Sequence, residues 1–370
     1  MNFPPDLLQY LIVPIFILCL IFSCSVLKYI PNTNQKFDSI NRSSPLDGLR
    51  GILALSVLVH HFYITYAWKT EGFWIRPESN LLNNLGSISV SLFFLITGFL
   101  FFNKIKNKNI DWKRLYISRF KRIIPLYVFV FIFIVLITLN SVNISNGFLF
   151  DFLKWFVGWL FFNGGSLNGF NSSLIIAGVN WTLIYEWGFY FSLPIFYALI
   201  HKRISEKLFF YLCAFIFLLI FLTTKRSHYL LFLFSYFAIF YDFKIVDMIK
   251  NKKMYINLLI PTLILVGLFF TNAYSFIQKV LCGIVFAFMA NGYSFFGILE
   301  SKGLKILGDI SYSIYLVHGL VLYTLFSILG IFDFGRGLFS YYILFPLVFF
   351  VVIIFSFFTY SFVEKPFLKK

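Results

Sequence analysis

Eleven apolar runs decide what this chain can fold into. They lie at Leu7–Val26 and at roughly 49–67, 82–103, 123–140, 180–200, 207–223, 228–242, 255–271, 275–296, 307–330 and 341–362. Most reach the ~17–25 residues that a helix needs to cross a bilayer. In hydrocarbon a spanning segment must also satisfy its own backbone hydrogen bonds. The sequence therefore reads as an all-α, polytopic transmembrane helical bundle of about 11 spans, a ten-helix core plus one N-terminal helix. Composition agrees, with 60% hydrophobic and only 12% charged residues, against about a quarter charged in soluble domains. Residues 1–43 form the extra helix and a cytoplasmic linker, and 44–370 a single membrane domain. The first run follows MNFPPD, which carries no positive charge, and precedes Lys28. A cleavable signal has the opposite flank, so this helix is expected to be retained with its N-terminus outside.

The net charge of +16 sits in short loops between the runs, not in a stripe interleaved with aromatics. That pattern argues against nucleic acid as a partner and follows the positive-inside rule. Lys104, Lys106, Lys108, Lys113, Arg114, Arg119, Lys121 and Arg122 mark one loop as cytoplasmic. Alternation then places 201–207, 242–253, the turn with Lys302 and Lys305, and the C-terminal EKPFLKK inside, with 140–147 and 163–173 outside. The loop from Lys225 to His228 is discordant, falling outside despite two positive charges. Segment 149–163 is apolar, yet both its flanks fall outside, so an interfacial or re-entrant segment fits best. Its Trp155 and Trp159 suit the headgroup region. Cys19, Cys24, Cys213 and Cys282 lie in apolar helices with no close CxxC pair, and neither a disulfide framework nor a metal site is expected.

Within LDGLRGILALSVLVHHFYITYAW, Arg50 and His61 are eleven residues apart, about 20° more than three full helical turns. They share one stripe of a helix, roughly 16 Å apart along its axis. His60 is displaced by about 100° and leaves that stripe, while Asp47 is placed to fix the Arg50 guanidinium. Ionisable groups at such depth are functional candidates, although a lone histidine is equally well explained by a hydrogen bond to a neighbouring helix. Two further polar groups fall at compatible depths. Glu186 enters from the outside in NWTLIYEWGFY, in the outer half of the membrane, and His318 enters from the inside in LGDISYSIYLVH. Together, a carboxylate and two histidines suggest a general base with an orienting partner. Arg119, Lys121 and Arg122, at the inner end of another helix, suit a polyphosphate or serve as ordinary positive-inside anchors.

Six segments in order resemble the membrane acyltransferase 3 family, which includes bacterial O-antigen and exopolysaccharide O-acetyltransferases. They are LDGLRGILALSVLVHH, SLFFLITGF, RFKRIIPLY, NWTLIYEWGFYFSLP, LGDISYSIYLVH and FVEKPF, and the similarity runs from about residue 44 to the C-terminus. The resemblance implies an acyltransferase of the bacterial cytoplasmic membrane with a cytoplasmic C-terminus. It implies acetyl-CoA or another acyl-CoA as donor and a carbohydrate hydroxyl of an exported or lipid-linked glycan as acceptor. It matches His61 to the family histidine, Arg50 to its arginine, Glu186 to the glutamate of its WxLxxE pattern, and Arg119 and Arg122 to its basic motif. Here that motif reads Arg-Phe-Lys-Arg, not a compact Arg-x-Arg, which leaves open which arginine meets the CoA phosphates. Larger members add an extra-cytoplasmic hydrolase-like domain that this chain is expected to lack. The competing reading is a transporter or flippase of lipid-linked glycans, although the internal repeats usual in transporters are not visible.

Overall fold

The computed structural model describes residues 8–29, 44–106, 110–143, 147–201 and 227–368, with isolated positions 205, 208 and 212. The described chain is almost wholly helical. Its helices are α1 (Ile12–Leu27), α2 (Pro45–Glu71), α3 (Asn80–Ile105), α4 (Trp112–Ser141), α5 (Phe148–Leu160) and α6 (Trp181–His201). They continue as α7 (Leu230–Phe234), α8 (Tyr236–Phe240), α9 (Asp242–Asn251), α10 (Lys253–Phe270), α11 (Phe276–Ala290), α12 (Lys302–Asp309) and α13 (Ser311–Tyr323). The last are α14 (Gly337–Ile343), α15 (Phe345–Thr359) and α16 (Lys365–Leu368). One two-stranded hairpin pairs Ser166–Leu167 with Phe170–Asn171.

Among the described residues, eight helical stretches are long and apolar enough to cross a membrane: Gln9–Leu27, α2, α3, α4, α6, α10, Ser311–Ile328 and Phe345–Leu368. The all-α polytopic class stands. Two shorter apolar stretches, Leu230–Phe240 and α11, fall where further spans are expected, and the expected segment 207–223 lies outside the described residues. The shortest stretch breaks at Ser235, whose hydroxyl donates to Phe232 O at 2.6 Å and abuts Gly98 of α3. A hydroxyl that bonds its own helix backbone competes with the helix ladder.

Helix α5 has 13 residues, well short of the ~20 a span needs. Its tryptophans correct the sequence reading. Trp155 and Trp159 are the two buried side chains of this helix, not headgroup anchors. Both indoles donate to Ser172 Oγ, at 2.9 and 3.1 Å. A buried N–H needs an acceptor, and here the protein interior supplies it.

The bundle has two ends. At one, α2 begins beside α12 and the turn Ile298–Glu300 before it, with backbones nearly touching: a Cβ on Gly48 would lie 1.9 Å from Leu299 O, and one on Gly308 of α12 1.8 Å from Asp47 O. Small residues permit this close approach. His201 at the end of α6 bonds Ile105 O at the end of α3, 3.0 Å away. At the other end, α2 stops at Gly72, whose φ of +82° closes the helix on Trp68 O, the usual glycine stop. There Asn84 of α3 donates to Thr271 O after α10 at 2.7 Å, and Tyr342 donates to Gln9 O at 3.1 Å.

Candidate active site

The histidines that the sequence separates by 257 positions meet. His61 Nδ1 lies 2.9 Å from His318 Nε2, with the two ring planes 20° apart and their centroids separated by 5.0 Å. The bond at the far side of His318 fixes the protons. His318 Nδ1 lies 3.1 Å from Ile314 O, one turn back on α13. A carbonyl only accepts, so His318 carries its hydrogen on Nδ1 and offers a lone pair at Nε2. His61 must then donate from Nδ1, which leaves its Nε2 as an unprotonated base. His318 is fully buried, whereas His61 lines a cavity of about 440 Å³.

The cavity opens between α2, α3, the 72–79 loop, the start of α6 and the turn before α11. Trp74 lies near-parallel to His61, with ring centroids 6.1 Å apart. His60 belongs to the wall too: its Nδ1 donates to Leu82 O at 2.8 Å, and its ring fills the space that a Cβ at Gly86 would take, 2.6 Å away. Residues 177–179 complete the wall. They descend into the bundle, since a Cβ on Gly319, next to His318, would lie 2.3 Å from the Ile176 carbonyl carbon. Ala177 and Gly178 take positive φ, +52° and +67°, to turn the chain from this descent into α6.

That descent explains where Glu186 falls. Because α6 starts at the depth of the histidines, Glu186 is carried beyond them and groups with arginines. It accepts from Tyr190 Oη and lies within electrostatic reach of Arg119, Arg50 and Arg122. The structure does not bring it to His61, contrary to the depth expected from sequence. Arg50 is half-buried within reach of Asp47, Asp309 and Glu364, so the anion that such a guanidinium requires is supplied by the chain. Arg122 is similarly committed. It forms a 2.7 Å ion pair with fully buried Glu364, which also accepts from Ser313 Oγ at 3.0 Å. Glu364 sits on the π turn Tyr360–Glu364, a local widening frequent at functional sites.

The cations facing outward are different. Arg119 is half-buried over the Phe101 ring at 5.2 Å, Lys121 is exposed, and exposed Lys104 feels the charges of Arg119 and Arg114. Among the described residues no group of three or more metal-ligating side chains occurs.

The model of the family described as "Acyltransferase domain" matches residues 45–361. The chain belongs to this acyltransferase 3 family. Two curated relatives agree. It is 28% identical over 173 residues to the acyltransferase MdmB of Streptomyces mycarofaciens, covering 44% of this chain and 41% of that protein. It is 25% identical over 176 residues to the peptidoglycan O-acetyltransferase OatA of Listeria monocytogenes, covering 44% of this chain and 25% of that one. The aligned region is thus less than half the length of either relative. No solved structure matches.

For this member of the acyltransferase family, sequence reasoning identified His61 and His318 but missed much of the cavity wall. His60 was set aside because it leaves the Arg50 stripe, yet a cavity wrapping part of a helix admits adjacent residues about 100° apart. Arg76 and His228 carried a usable signal. Both are basic or ionisable groups in loops on the side that the charge rule leaves poor in cations.

Proposed function

We propose that the protein is an integral-membrane O-acyltransferase of the bacterial cytoplasmic membrane that moves an acyl group, acetyl in the first instance, from acyl-CoA to a carbohydrate hydroxyl. The observation that carries this reading is the relay Ile314 O–His318–His61, which leaves His61 Nε2 as a neutral base at a cavity. The Arg50 end bears the unbalanced cations and faces the cytoplasm, with the C-terminus on that side. Acyl-CoA enters there, its phosphates held by Arg119, Lys121, Lys104 and Arg114. Arg50 and Arg122, each matched by buried acids, line the passage and keep it polar. The glycan acceptor enters from the opposite end.

The chemistry follows from the proton positions. His61 Nε2 removes the hydroxyl proton as the oxygen attacks the thioester carbonyl, and its Nδ1–H stays bound to His318. The C–S bond then breaks, the ester forms, and the CoA sulfur takes the proton back from Nε2. General-base assistance of this kind supplies about 10²–10⁴-fold, with positioning in the cavity adding to it.

The test is acetyl-CoA consumption and acetyl transfer by purified protein, with His61→Ala alongside. Transfer that the variant loses by at least about 100-fold supports the reading. Wild-type protein that moves glycan across proteoliposomes without consuming acetyl-CoA would establish transport instead.

A further inference from the structure

The cavity beside His61 is electrically one-sided. Exposed Arg76 reaches it from the 72–79 loop, and its charge acts on His60, His228 and Tyr274. Lys279 adds to the positive potential at His228. Among the described residues no aspartate or glutamate lines the space. The acids near that loop, Glu71 and Glu78, act instead on Tyr63, which is not part of the wall. The Arg50 end differs, because there the half-buried guanidiniums have acids of the chain around them.

Two more features point to a ligand. Among the described residues His228 Nδ1 is buried without a hydrogen-bond partner, and a buried polar atom in that condition is costly unless something fills the gap. Trp74, Trp181 and Tyr274 present aromatic rings to the same space, apolar surfaces suited to the C–H faces of sugar rings. An arginine set over a cavity without acids is a receptor for a carboxylate or a phosphate, which its planar fork binds bidentately.

We infer that the acceptor is an acidic saccharide, its anionic group received by Arg76 and His228 while a nearby hydroxyl reaches His61. The inference rests on the proposed acyl transfer and names the acceptor class for it. A neutral sugar would leave the positive wall uncompensated, and the preference should therefore weaken as salt screens it.

The experiment uses the full purified chain and three probes: a neutral glucose trisaccharide, its glucuronate-containing counterpart and its glucose-6-phosphate counterpart. Binding is read from tryptophan fluorescence and transfer from acetyl-CoA-dependent esterification. At low salt one or both acidic probes should bind and react about tenfold better than the neutral one. Which of them does so identifies carboxylate or phosphate as the anion. Arg76→Gln should bring the acidic probes to the neutral level, and Arg76→Lys should restore part of the preference. Equal binding of all three probes by the wild type overturns the inference even if acetyl transfer proceeds. So does an Arg76→Gln variant that keeps the preference. Selective binding without any acetyl-CoA turnover would sink the acyltransferase reading and leave the acidic-ligand site standing.

Discussion

Replacing His318 isolates the relay, because His318 is fully buried and does not line the cavity. Its effect on chemistry must pass through His61. His318→Leu removes the acceptor that lies 2.9 Å from His61 Nδ1. The N–H then keeps only the Val57 carbonyl, one turn back on α2, and losing one of two acceptors costs about 0.5–1.5 kcal/mol. That energy is part of the bias holding the proton on Nδ1 and the lone pair on Nε2, so its loss should lower acetyl transfer by about 2- to 10-fold. His318→Gln keeps a carbonyl acceptor and an N–H2 donor for Ile314 O, and should retain most of the rate. The decisive assay is a double-mutant cycle with His61→Ala, scoring single-turnover transfer in folded, detergent-purified protein. Residues acting as one unit are non-additive, so His318→Leu should cost almost nothing further once His61 is gone. An equal penalty in both backgrounds, or no penalty in the first, would refute the relay.

Four other outcomes follow. Gly86→Ala drives a Cβ to 2.6 Å from the His60 ring and should lower the melting temperature and transfer together, with His60→Ala restoring stability in the double variant. Arg122→Ala strands the buried Glu364 carboxylate, a loss of about 3–5 kcal/mol read as a fall in melting temperature. Lys104→Ala with Lys121→Ala, both exposed, should instead leave stability near wild type and weaken acyl-CoA binding by about 1 kcal/mol or more; an unchanged dissociation constant would remove the phosphate site from that surface. Cysteines introduced at exposed positions 113 and 168 should be labelled from the cytoplasmic and outer sides respectively, and the opposite pattern would reverse the proposed orientation.

The helical class and the shared stripe of Arg50 and His61 were legible because both depend on local periodicity. Hydropathy fixes what must be helix, and 3.6 residues per turn fixes which side chains share a face. Convergence was not legible. Nothing in the spacing of His61 and His318 says that α2 and α13 cross at the height of these rings; that is set by tertiary packing, in which Gly308 lets α12 close on α2 and Gly319 lets the 172–180 segment close on α13. Glu186 was misplaced for a related reason. Counting residues from the start of an apolar run assumes that the run starts at the membrane surface. Here the 172–180 segment is drawn inward by the Ser172 bonds to Trp155 and Trp159, and α6 begins deep. The same bonds explain why two tryptophans with the composition of an interfacial belt turned out to be core.

A relay that ends on a backbone carbonyl rather than a carboxylate fits its surroundings. An ionised carboxylate behind His61 would be expensive to bury at this depth, and its field would oppose entry of anionic CoA and of an acidic acceptor. The Ile314 carbonyl fixes the same tautomer through His318 and adds no charge. What the arrangement gives up is stabilisation of the imidazolium as it forms, the part a buried aspartate plays in hydrolytic triads. The lost stabilisation has to come from the reaction itself, in which the proton passes from hydroxyl to departing sulfur and the imidazolium is brief. Substituting Ile314 cannot remove its carbonyl, so the chain protects this part of the relay from side-chain mutation. His318→Asp, which would install the missing charge, should therefore lower acyl-CoA affinity even where it preserves a hydrogen bond to His61. Tighter acyl-CoA binding in that variant would show that charge, not tautomer, limits the site.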